Sequence, residues 1–126
     1  MVDPLPYCRR FIAVPFVLGR SDCATFAAGW AEHGLGAQRA PVRRLGLEQA
    51  RVVGRDIARM GKMAARWARR AGLAVVPRPA CRGDIGLVEI GDGAGFGICL
   101  GHDQWVMRAS VGIAFVVAPP VLVIAR

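Results

Sequence analysis

The chain has 126 residues, 54% of them apolar and 21% charged, with a formal net charge of +8. This length fits one domain, residues 1–126, with a moderate core, and the composition excludes a disordered polyelectrolyte. The four cysteines, Cys8, Cys23, Cys81 and Cys99, form no CxxC pair and no Cys/His cluster; free thiols in a reducing compartment, with no metal site and no cofactor, are therefore expected.

In chain order, a short helix is expected over residues 5–13. Arg9 and Arg10 before Phe11 and Ile12 hint at a twin-arginine start, but Pro15, Arg20 and Asp22 cut the apolar run that an export signal needs. The expected location is accordingly the cytoplasm. Pro15, Gly19, Ser21 and Asp22 are turn and cap residues. From Cys23 onward Phe26, Ala27 and Trp30 recur at helical spacing, which predicts a helix over 23–33 stopped by Gly34 and Gly36. Cys23 thus falls in a first helical turn, where free N–H groups and the helix dipole favour thiolate, the form that attacks carbonyl carbon. A small buried side chain is the alternative reading of the same residue.

A second amphipathic helix is predicted over residues 47–71. Arg51, Arg55, Arg59, Lys62, Arg66, Arg69 and Arg70 form one stripe, and Val53, Ile57, Met60, Ala64, Trp67 and Ala71 form the opposite one. Beyond Gly72 the character changes: Pro77, Pro79 and Gly83 lead into five short strands over 84–90, 96–100, 104–109, 113–117 and 121–125. The uncharged stretch 109–125 is split by Pro119 and Pro120 and reads as two strands, so no membrane span is expected. Helices followed by a meandering antiparallel sheet make an α+β fold.

Three segments, 19–26 around Asp22-Cys23, Gly83-Asp84-Ile85-Gly86-Leu87-Val88, and Gly95-Phe96-Gly97-Ile98-Cys99-Leu100-Gly101, occur in an order similar to that of the NlpC-type cysteine peptidases. The stretch Pro15-Phe16-Val17-Leu18-Gly19-Arg20-Ser21-Asp22-Cys23 resembles more closely a compact phage- and prophage-associated branch of these papain-like proteins. About two thirds of the chain is covered; the Cys23 segment is moderately specific and the Gly83-Asp84 strand weakly so. The resemblance implies a papain-like fold, N-terminal helices on a C-terminal antiparallel sheet of about five strands, with Cys23 at the nucleophile position. It places the histidine base at Gly95 and the third polar group near Arg108, neither of which can take a proton.

The two histidines stand elsewhere. His33 is ten residues along the helix from Cys23, about 15 Å by helical rise, and His102 lies in an expected hairpin turn about 23 Å of strand from Gly95. The resemblance with a missing base implies a catalytically impaired domain serving as a structural or adaptor component of a phage-type particle, at a tail tip or in tail assembly. The competing reading is an active cysteine hydrolase that cuts peptide or amide bonds of cell-wall peptidoglycan with another base. For the basic stripe an acidic neighbouring subunit is the expected partner, with reversal of Arg55, Arg59 and Lys62 expected to block incorporation. Nucleic acid is disfavoured because no aromatic residues interleave the arginines.

Overall fold

The computed structural model describes residues 2–42, 56–91 and 93–126. Among the described residues three helices are formed: α1 (Pro4–Arg9), α2 (Cys23–Gly34) and α3 (Ile57–Arg70). Six strands follow: β1 (Ala74–Val75), β2 (Ile85–Ile90), β3 (Gly93–Gly101), β4 (Gln104–Arg108), β5 (Ile113–Val117) and β6 (Pro120–Ala125). The α+β order is as expected, and the first part of the predicted basic helix, with Arg51 and Arg55, lies outside the described residues.

The first two helices begin where local chemistry provides an acceptor or a fixed φ. Asp3 caps α1 through Leu5 N–H, and Pro4 at the first position has no N–H to leave unpaired. Asp22 caps α2 from a fully buried site: Oδ1 accepts from Thr25 N–H and Oγ1, while Oδ2 accepts from Gly19 N–H at 2.7 Å. One carboxylate therefore fixes both the helix start and the turn before it.

Strands β2 to β5 run as an antiparallel meander, but β6 does not continue it. The order is β1-β6-β2-β3-β4-β5, so β6 crosses back to pair with β2 and carries β1 on its other side. This corrects the simple five-strand meander. Strand β1, two residues long, is too short to register as an alternating pattern. Ile124, fully buried, pairs with both Ile85 and Val75, and so the last strand is internal to the sheet.

Side-chain alternation divides the sheet into two faces. Ile85, Leu87, Ala94, Phe96, Ile98, Val106 and Ile124 join the α2 and α3 residues Phe26, Ala27, Trp30, Met60, Ala64 and Ala68 in the main core. Val88, Cys99, Trp105 and Met107 form a smaller cluster on the opposite face. Gly86 lies on that face beneath the Trp105 ring, where an added Cβ would come within 2.4 Å of the indole. Helix α2 packs on β3 and β4, whereas α3 packs on the same face nearer the other end of the sheet, on β1 and β6.

Candidate functional site

Cys23 opens α2 over the sheet, as the sequence predicts, and it is 4% exposed. Its Sγ lies 4.0 Å from the carbonyl oxygen of Arg108 at the end of β4. Arg108 shares the α2 side of the sheet with Val106, two residues earlier on the same strand. Arg108 is 6% exposed, and its guanidinium donates to five carbonyl oxygens: Nε to Ser21, Nη1 to Phe11 and Gly112, and Nη2 to Val14 and Pro15. It also lies over the Phe11 ring at 5.3 Å. Burial pushes the Arg108 pKa below its ordinary value, with the nearby Cys23 sulfur and Tyr7 acting the other way.

Arg108 thus ties the loop of residues 11–15, the turn before α2 and the loop after β4 into one lid over the start of α2. The loop is held further by the Phe16 N–H bond to Ser110 O and by the Pro15–Val111 bridge. Tyr7 adds a clamp from α1, its hydroxyl donating to Phe26 O at 2.7 Å over Gly29, a residue whose missing Cβ leaves room for that oxygen.

Gly95 does not stand opposite the sulfur. It pairs with Val88, a member of the second cluster, so strand alternation puts Gly95 on the face away from α2. The β3 positions facing the helix are Ala94, Phe96 and Ile98, which bear no ionisable group. Bulky Phe96 and Ile98 at even positions, with glycine at 95 and 97, already carry this signal; motif alignment alone missed it by one residue, and one residue is a change of face.

Both histidines fall where the sequence places them. His33 is exposed near the end of α2 and stacks on Tyr7 with centroids 6.0 Å apart. His102 is exposed at the tip of the β3–β4 hairpin with φ 50°. Asp84, from the Gly-Asp strand segment, organises a turn: its Oδ2 accepts from Cys81 N–H at 2.8 Å and from Arg78 Nη1 at 2.7 Å. Among the described residues no group of three or more His, Cys, Asp or Glu side chains is arranged to hold a metal ion. No described helix is long and apolar enough to cross a membrane.

The basic stripe is present on α3, where Arg59, Lys62, Arg66, Arg69 and Arg70 are exposed opposite buried Met60, Ala64, Trp67 and Ala68. Along one flank Arg59, Lys62, Arg66 and Arg70 line a groove together with Met63, Trp67 and Pro41. Trp67, which also lines it, has a buried Nε1–H with no hydrogen-bond acceptor among the described residues. Leaving such a donor unmet costs about 1–3 kcal/mol.

A family model described as a domain of unknown function, DUF6950, matches residues 4–122. The chain belongs to the DUF6950 family. That match takes in α1, the Cys23 helix, α3 and the sheet into β6, so the lid, the thiol and the basic face all lie inside the DUF6950 domain. No curated protein matches this DUF6950 chain.

The burial of the thiols gives a direct expectation for the DUF6950 domain. Cys81 is exposed, whereas Cys8, Cys23 and Cys99 are buried. Desolvation pushes the Cys8 pKa up to about 12 and also raises that of Cys99. Under native conditions near pH 8 iodoacetamide should modify Cys81 first, and the other three only after denaturation. Mass spectrometry of the adducts over time checks this. Cys23 modified as fast as Cys81 would mean that the lid opens readily.

Proposed function

We propose that this domain is a non-catalytic adaptor that docks through its basic helix onto an acidic surface of a neighbouring protein. The resemblance to phage-associated NlpC-type proteins directs the proposal further, to a structural component of a phage-type tail or tail tip. The observation that carries it is the row of exposed cations on α3, Lys62, Arg66, Arg69 and Arg70, opposite the helix's buried face. The β3 positions on the α2 side, Ala94, Phe96 and Ile98, are hydrocarbon, and Arg108 at the end of β4 is a permanent cation engaged by five carbonyls. General-base assistance is worth ~10²–10⁴ in rate, and neither imidazole of the chain is placed to provide it.

The basic groove supports the docking half of the reading. The cations at the rim suit a carboxylate-bearing surface. Acidic residues to neutralise this face from within are few, Asp56 at the helix start being the one on the described part of the segment.

Two measurements test the reading. Cell-wall peptides and amides incubated with the protein should be turned over no faster than with Cys23→Ala; turnover that disappears in Cys23→Ala overturns the non-catalytic assignment. Combined reversal of Arg59, Lys62 and Arg66 to glutamate should abolish incorporation into particles while circular dichroism stays unchanged, because these side chains point away from the core. Incorporation equal to wild type would leave the stripe as a solvated helix face.

A further inference from the structure

The sheet has two unlike edges. At one end β1 is two residues long and lies beside α3. At the other, β5 keeps an unbroken five-residue register with β4 and, among the described residues, has no strand on its outer side. Its sequence is Ile113-Ala114-Phe115-Val116-Val117, without charge, proline or bulge, the devices by which proteins usually blunt an open edge. Phe115 is 68% exposed and Val117 78% exposed, and both project on the α2 side of the sheet, since Phe115 pairs with Val106 of the main core. In an antiparallel ladder alternate residues of such a strand direct their N–H and C=O groups outward.

We propose that β5 is the self-association edge of this protein: two copies join antiparallel through β5 about a two-fold axis at Phe115, forming one continuous sheet. In that register Phe115 faces its own counterpart and Ile113 of one copy faces Val117 of the other, so every opposed pair on this face is apolar. An isologous contact needs a surface complementary to itself, and an uncharged apolar strand meets that condition.

Net charge selects this edge over the rest of the surface. A chain of charge +8 resists contact with itself wherever cations cluster, and they cluster on α3. Helix α3 packs on β1 and β6, at the opposite end of the sheet from β5. Four to five strand spacings separate the two ends, about 20–24 Å, so in the paired assembly the two basic helices stand roughly 40–50 Å apart. The Debye length at physiological ionic strength is about 8 Å, which makes their repulsion negligible. The same geometry leaves both α3 faces directed outward, so the β5 contact and α3 docking are independent of one another.

Sedimentation equilibrium over a concentration series tests the proposal. Wild-type protein should show a reversible monomer–dimer equilibrium, Phe115→Lys should remain monomeric with an unchanged circular dichroism spectrum, and the α3 triple reversal should dimerise as wild type does. The register is read separately: Phe115→Cys in a Cys81→Ser background should give a disulfide-linked dimer on mild oxidation, whereas Glu89→Cys in that background should not. A wild-type chain that stays monomeric to millimolar concentration, including one that captures a strand from a different protein instead, overturns the proposal. A dimer that survives Phe115→Lys, or one cross-linked equally well through Glu89→Cys, overturns it too.

Discussion

Replacing Arg108 with methionine should lower stability by about 3–5 kcal/mol, the range for removing one partner of a buried charged network. The side chain is 6% exposed, and its loss would leave the carbonyls of Phe11, Val14, Pro15, Ser21 and Gly112 without their shared donor. Methionine fills a similar volume but brings no N–H. For a domain of this size the loss corresponds to a drop in Tm on the order of 10–20 °C. Arg108→Lys should recover a minor part, because an ammonium has three donors and no planar fork. Urea denaturation of the three proteins decides the matter. An Arg108→Met midpoint within experimental scatter of wild type would mean that water replaces the guanidinium, and that the lid is not held as described.

Trp30→Ala is expected to cost a further ~3–5 kcal/mol in a separate variant, through the cavity left by a large buried ring. Trp30 is 1% exposed and packs beside Tyr7, and its Nε1–H donates to Gly83 O at 2.7 Å. It therefore joins α2 to the turn that launches β2, across a sequence separation of 53 residues. Trp30→Phe should keep most of the packing and lose about 1 kcal/mol for the hydrogen bond. Thermal melts of the two variants separate the contributions. Equal losses would show that the hydrogen bond, not the ring volume, dominates.

Elements with a local cause were legible in the sequence. Asp22 before a run with 3.6-residue periodicity marks the start of α2, and the α3 stripe marks its exposed side, because capping and amphipathicity act within a few residues. Strand β5 falls over 113–117 as expected, bounded by Gly112 and by Pro119 and Pro120. The return of β6 to β2 was not legible, since antiparallel pairing of distant strands leaves no periodic trace in either one. Nor was the role of Arg108. Its five acceptors come from 4 to 97 residues away in sequence, and a lone arginine at a strand end has no local signature for such a network. The displacement of Gly95 is a different kind of error: the residues that decide it are adjacent, and period-two alternation resolves it once applied.

The insertion of β6 between β1 and β2 also orders events in time. A hairpin can form from its own residues alone, and β2 to β5 are joined by three such local connections. Strand β1 has no partner until Ile124 and Ala125 are in place, and the β2 side of the core stays open for as long. When the whole chain folds, the meander, built on local connections, is the part able to assemble early. The seat of α3 against β1 and β6 must wait for the final strand. A large loop is thus closed last, a slow step by the usual relation between sequence separation and folding rate. Until it closes, the apolar side of α3 and one flank of β2 remain the surfaces most in need of a chaperone.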